Sequence, residues 1–136
     1  MWGRLLSFGL IGVVNTGIDW SVFWAIGAVL PGAPDRVWLA KAASYAAGVV
    51  ASFFLNSRIT FRRDYRAMTS GRRGAARTAF VRFWAVALVC LGVNILVYES
   101  LRGTGYLDLP ALVAATLAAF LLGFGLNQVW TFRSRG

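Results

Sequence analysis

Residues 53–62 read FFLNSRITFR, and residues 124–133 read FGLNQVWTFR. Phe53, Leu55, Asn56, Thr60, Phe61 and Arg62 recur as Phe124, Leu126, Asn127, Thr131, Phe132 and Arg133, at a constant offset of 71 residues. The match runs backward as a row of small residues. Gly48, Ser52, Asn56 and Thr60 stand every four positions, and Ala119, Gly123, Asn127 and Thr131 repeat that row. A four-residue spacing puts side chains on one helix face, so each row marks a helix. Upstream, GVVNTGIDW around Asn15 resembles LGVNILVYE around Asn94, now at an offset of 79. The chain is therefore two copies of one helix pair. The second copy is shorter, and the loss falls most simply in the outer connection, where the first copy has Pro31, Gly32, Ala33 and Pro34.

What surrounds these helices follows from composition. Hydrophobic residues make up 58% of the 136 residues and charged residues 14%, against about a quarter charged in ordinary soluble proteins. A domain of this size cannot hide so much apolar surface, so the remainder must face lipid. The expected fold is an all-α membrane protein with four transmembrane helices, over about 5–30, 37–61, 80–101 and 108–132. Each is long enough at ~1.5 Å per residue to cross a hydrocarbon core of ~30 Å. The first stretch is too long for the apolar region of a signal peptide and has a counterpart in the second copy, so it is read as a span.

Net charge is +9, and the basic residues are clustered. Arg62, Arg63, Arg66, Arg72, Arg73, Arg77 and Arg82 fall between the second and third stretches, and Arg4, Arg133 and Arg135 lie at the chain ends. By the positive-inside rule both termini and the basic segment 62–79, read as a flexible loop, are cytoplasmic. The two hairpins then form a parallel repeat within a single domain over 1–136, since each returns the chain to its starting side. Inverted repeats within one chain are excluded on this reading. A parallel homodimer is expected. Insertion and anionic headgroups account for the arginines, so no nucleic-acid partner is expected. Cys90 is the only cysteine and there is no histidine, so neither a disulfide within the chain nor a metal or cofactor is expected. With five acidic residues and no nucleophile beside a base, an enzyme is not expected.

Polar residues inside the apolar stretches are the candidates for function. Asn15 is 11 residues past Arg4, roughly 16 Å into the bilayer. Asp19 lies one turn further on the same face. A carboxylate there costs at least ~2.5–3.5 kcal/mol unless it faces the bundle interior or water, or is protonated. It reads either as a proton carrier or substrate partner, or as a packing hydrogen bond or ion pair. Tyr98 takes its place in the second copy. Asn15 and Asn94 divide between substrate contact and interhelical hydrogen bonding. Asn56 and Asn127 lie near the inner headgroup boundary and complete the candidate substrate-binding set. Arg58, Arg62 and Arg133 form a candidate phosphate clamp at the inner mouth, because guanidinium forks match phosphate oxygens. Ordinary membrane anchoring is the competing account.

The stretches FGLIGVVNTGID at Phe8–Asp19 and FFLNSRITFR at Phe53–Arg62, with the second LNxxxTFR at Leu126–Arg133, resemble the GtrA-like family. The resemblance covers nearly the whole chain. It implies a flippase that moves a polyprenyl-phosphate-linked sugar across the bacterial inner membrane for cell-envelope polysaccharide synthesis or modification, beside a membrane glycosyltransferase. Asn15, Asp19, Asn94 and Tyr98 would then replace water around the sugar hydroxyls. Two other readings stay open: a small proton-coupled exporter of cationic compounds, and a non-transporting scaffold that recruits a glycosyltransferase.

Overall fold

The computed structural model describes residues 2–29, 35–70, 72–104 and 108–133, with side chains for all of these except 23, 27, 35–39, 41, 102, 108 and 109. Apart from short turns, the described residues are helical, and they form no strand. In lipid every backbone N–H and C=O must be bonded within its own segment, which favours long uninterrupted helices. Helix α1 runs over Trp2–Val29, α2 over Asp35–Arg58, α3 over Arg62–Thr69, α4 over Ala75–Gly103 and α5 over Asp108–Leu126. A short π-helical segment, Asn127–Thr131, continues α5.

Three of these helical stretches, Trp2–Ile26, Ala75–Leu101 and Pro110–Thr131, are long and apolar enough to cross a membrane. Their outer faces carry large exposed apolar side chains: Leu6, Leu10, Val13, Trp20 and Trp24 on α1, Leu88, Ile95 and Leu96 on α4, Leu112, Leu117 and Leu121 on α5. Such an apolar surface is stable against lipid and not against water. This is a membrane protein. The fourth span expected, over 37–61, is helical from Asp35 to Arg58 but is not one of the three, and several of its outer side chains lie outside the described residues. So does the connection Pro31–Pro34.

The chain divides into two compact units, Met1–Arg62 and Arg63–Gly136. In the first, α1 packs on α2; in the second, α4 packs on α5 and the π segment. Each unit is a helical hairpin. The small-residue rows form the packing faces. In α2, Ala40, Ser44, Gly48 and Asn56 are buried, as is Thr60 just past its end. The same register buries Ala111, Ala115 and Gly123 in α5, and Asn127 and Thr131 in the π segment that continues it. Short side chains let helix backbones approach, which is where association energy between membrane helices comes from. The antiparallel course of the first hairpin is visible in its contacts. Phe8 meets Phe61 edge-on at 6.2 Å and the Ser7 and Thr60 hydroxyls lie 3.1 Å apart, while Asn15 faces Gly48 further along.

The segment 62–79, read from sequence as a loop, is corrected here. It contains α3, and α4 begins at Ala75 rather than near 80. Apolar composition locates only the lipid-facing part of a helix, and helical hydrogen bonding extends past it into the headgroups. Helix α3 is amphipathic, with Asp64, Tyr65, Met68 and Thr69 half-buried and Arg62, Arg63 and Arg66 exposed. That pattern suits a helix lying in the membrane interface. The Tyr65 ring meets Phe132 at 6.1 Å, and Phe83 meets the same ring at 6.2 Å.

Candidate functional site

The polar residues singled out in the sequence occupy three settings. Deepest in the first hairpin are Asn15 and Asp19, one turn apart on α1 and both half-buried. Asn15 Oδ1 and Asp19 Oδ1 are each shielded from solvent. The Asn15 carboxamide lies against Gly48 so closely that a methyl group there would sit 3.1 Å from Oδ1. Gly48 therefore makes room for Asn15. The second hairpin has Asn94 and Tyr98 at the matching α4 positions, also half-buried, and Ala119 where α2 has Gly48.

Nearer the open end of each hairpin, the repeated LNxxxTF motif builds one piece of geometry twice. Asn56 Nδ2 donates to the Ser52 carbonyl at 2.9 Å and to Ser52 Oγ at 3.2 Å. Asn127 Nδ2 donates to the Gly123 carbonyl at 2.8 Å. The Phe61 N–H reaches the Asn56 carbonyl at 2.8 Å, and the Phe132 N–H reaches the Asn127 carbonyl at 2.9 Å. Both are bonds across five residues instead of four, the wide turn of a π-helix, a feature frequent at functional sites. The widened turn brings Thr and the following Phe inward together, and Thr60, Phe61, Thr131 and Phe132 are all buried. Each Asn turns its donor to the backbone and leaves its acceptor, Oδ1, buried with no hydrogen-bond partner among the described residues. A buried orphaned acceptor costs about 1–3 kcal/mol. The two turns differ in one respect. Thr60 Oγ1 pairs with Ser7, whereas Thr131 Oγ1 has no hydrogen-bond partner among the described residues. At the 79-residue offset, Ser7 corresponds to buried Val86.

The arginines expected to grip phosphate have separate surroundings. Arg58 is exposed, its guanidinium over the Phe54 ring at 5.4 Å. Arg62 is exposed at the start of α3. Arg133 lines a surface cavity of about 300 Å³ together with Arg72, Arg73, Gly74 and Arg82. Gly74 has φ of 85°, a left-handed conformation open to glycine, and it turns the chain into α4. Arg82 is held by a hydrogen bond from its guanidinium to the Trp130 carbonyl at 3.2 Å and lies over the Trp130 ring at 5.6 Å. Reading the sequence for spans treated Arg72, Arg73 and Arg82 only as loop charge. The signal that marks Arg72 and Arg73 is a paired arginine followed by glycine at a helix start.

No group of three or more His, Cys, Asp or Glu suited to a metal occurs among the described residues. The transmembrane domain described as GtrA/DPMS matches residues 7–132. A relative from Bacillus subtilis (strain 168), described as uncharacterized membrane protein YngA, is 30% identical over 129 residues, covering 92% of this chain and 76% of its own. With the family's domain spanning both hairpins, from the residue before Phe8 to the second TF pair, the chain belongs to the GtrA/DPMS transmembrane family.

Proposed function

We propose that this protein carries a polyprenyl-phosphate-linked sugar across the bacterial cytoplasmic membrane, for cell-envelope polysaccharide synthesis or modification. The observation that carries the reading is the pair of shielded oxygens, Asn15 Oδ1 and Asp19 Oδ1, one turn apart on a predominantly apolar helix. Polar groups in the bilayer are expensive and mark substrate pathways. A prenyl chain stays in lipid throughout, so only the sugar phosphate has to be carried across. Asn15 and Asp19 on α1, with Asn94 and Tyr98 on α4, replace hydration water around sugar hydroxyls. Asn56 and Asn127 offer their acceptor oxygens one stage nearer the inner surface. Arg58, Arg62 and Arg133 attract the phosphate there.

In this reading α2 is the fourth span, the residues 1–136 work as one transporting unit, and both chain ends are cytoplasmic. A second copy of the chain completes the polar path, and a membrane glycosyltransferase supplies the lipid-linked sugar. The test is reconstitution into liposomes with a fluorescent polyprenyl-phosphate sugar. The wild type is expected to accelerate transbilayer movement, and Asp19→Asn to slow it at least tenfold (about 1.4 kcal/mol in the barrier) with helix content unchanged. Absence of acceleration by the wild type overturns the proposal. Proton release on adding a toxic cation, without lipid movement, installs the exporter reading in its place. Wild-type rates in Asp19→Asn assign that residue to packing.

A further inference from the structure

The arginine cavity of the second unit shares only Arg133 with the polar pathway just described. Arg72, Arg73, Arg82 and Arg133 share its wall, and among the described residues no acidic side chain lines it. Four guanidinium groups around one space repel one another, so the arrangement is favourable with an anion among them. The start of α4 adds to this. Gly74 turns the chain so that the helix begins at the cavity wall. The Ala75 and Thr78 N–H groups donate to the Arg72 and Gly74 carbonyls, which leaves the first-turn N–H groups of Ala76 and Arg77 without an intrahelical acceptor. Arg82 is already held by the Trp130 carbonyl and ring, so its ordering cost is met before a ligand arrives.

We infer that this cavity binds the phosphate of an anionic lipid headgroup. The lipid source follows from what surrounds the charges. Met68, from the half-buried face of amphipathic α3, lines the same wall. Trp130, beside Arg82, is 45% exposed, as an indole at the headgroup level would be. A phosphate entering here keeps its acyl or prenyl chain against the exposed apolar faces of α4 and α5. The site belongs to the second copy alone. At the repeat offsets, Arg82 and Trp130 correspond to Gly3 and Ile59, so the first hairpin has neither the cation nor its ring.

The inference does not depend on translocation, because it is read by binding. The full-length protein is placed in phosphatidylcholine nanodiscs doped with phosphatidylglycerol or with a polyprenyl phosphate, and retained lipid is counted by native mass spectrometry. Wild type is expected to retain the anionic lipid. Arg72→Gln/Arg73→Gln/Arg133→Gln is expected to lose about tenfold in retention. Arg63→Gln/Arg66→Gln/Arg77→Gln removes as much charge outside the cavity and is expected to match wild type. Arg82→Lys keeps the charge and the helix but not the fork, and is expected to lose retention several-fold, which guards against misfolding of the triple variant. Equal loss in both triple variants, or loss in none of the cavity variants, overturns the inference. Displacement by inorganic phosphate at the same phosphate concentration assigns the cavity to the free ion and overturns the lipid assignment.

Discussion

Asn15 presses its carboxamide onto Gly48, and at the corresponding positions the second hairpin has Asn94 and Ala119. Replacing a helical glycine by alanine ordinarily stabilises by about 0.5–1 kcal/mol. At Gly48 the new methyl would meet Asn15 Oδ1 at 3.1 Å, so the amide must shift by a few tenths of an ångström. Gly48→Ala is therefore expected to give no net stabilisation in the wild type, but to recover its gain in an Asn15→Ala background. A double-mutant cycle on unfolding in detergent measures this, with a coupling of about 0.5–1 kcal/mol. Equal effects in both backgrounds would show that the contact carries no energy. The sequence exposed Asn15 and Asp19 because polar residues stand out in apolar runs. It did not expose Gly48 as Asn15's partner, since a small residue in a packing row looks the same whatever it faces.

Each hairpin ends in the same π turn, yet the two turns are satisfied differently. Thr60 has the Ser7 hydroxyl 3.1 Å away, and Thr131 has no partner among the described residues. One substitution therefore has opposite signs in the two copies. Thr60→Val loses a hydrogen bond between helices, with an expected cost of ~0.6 kcal/mol. Thr131→Val removes an unsatisfied buried hydroxyl at nearly constant shape, with an expected gain of up to ~1 kcal/mol. Reversible unfolding of both variants in mild detergent or bicelles compares them, and destabilisation by Thr131→Val would mean that its hydroxyl has a partner in the membrane. The LNxxxTF repeat was legible in the sequence from residue identity alone. Its wide turn was not, because a bond across five residues differs from one across four only in backbone path. Helix α3 was also missed. Its arginines read as loop charge, although its apolar side chains are spaced to lie on one face.

The whole molecule combines a strongly apolar body with a net charge of +9 concentrated on one set of connections. If the positive-inside rule governs insertion, the segment after α3 is cytoplasmic and the end of α4 is outside. In a Cys90→Ala background, Ser70→Cys is expected to react with a membrane-impermeant thiol reagent only in inside-out vesicles, and Thr104→Cys only in intact cells. Labelling of both from one side would refute the proposed topology, and labelling of each from both sides would indicate dual orientation.

Sequence by itself determined that the chain lives in a membrane, that it is helical, and that it is one hairpin written twice. These follow from composition and period, which are properties of the covalent chain. It also marked Asp19 and Tyr98 as the place where the copies diverge. Only the tertiary structure decided that Asn15 rests on Gly48, that Asn56 and Asn127 bury oxygens with no partner among the described residues above a π turn, and that Arg133 joins Arg72, Arg73 and Arg82. Those relations depend on which face of one helix meets another. Within lipid, apolarity does not distinguish the face that packs from the face that meets the solvent, so hydrophobic pattern loses the information it carries in water.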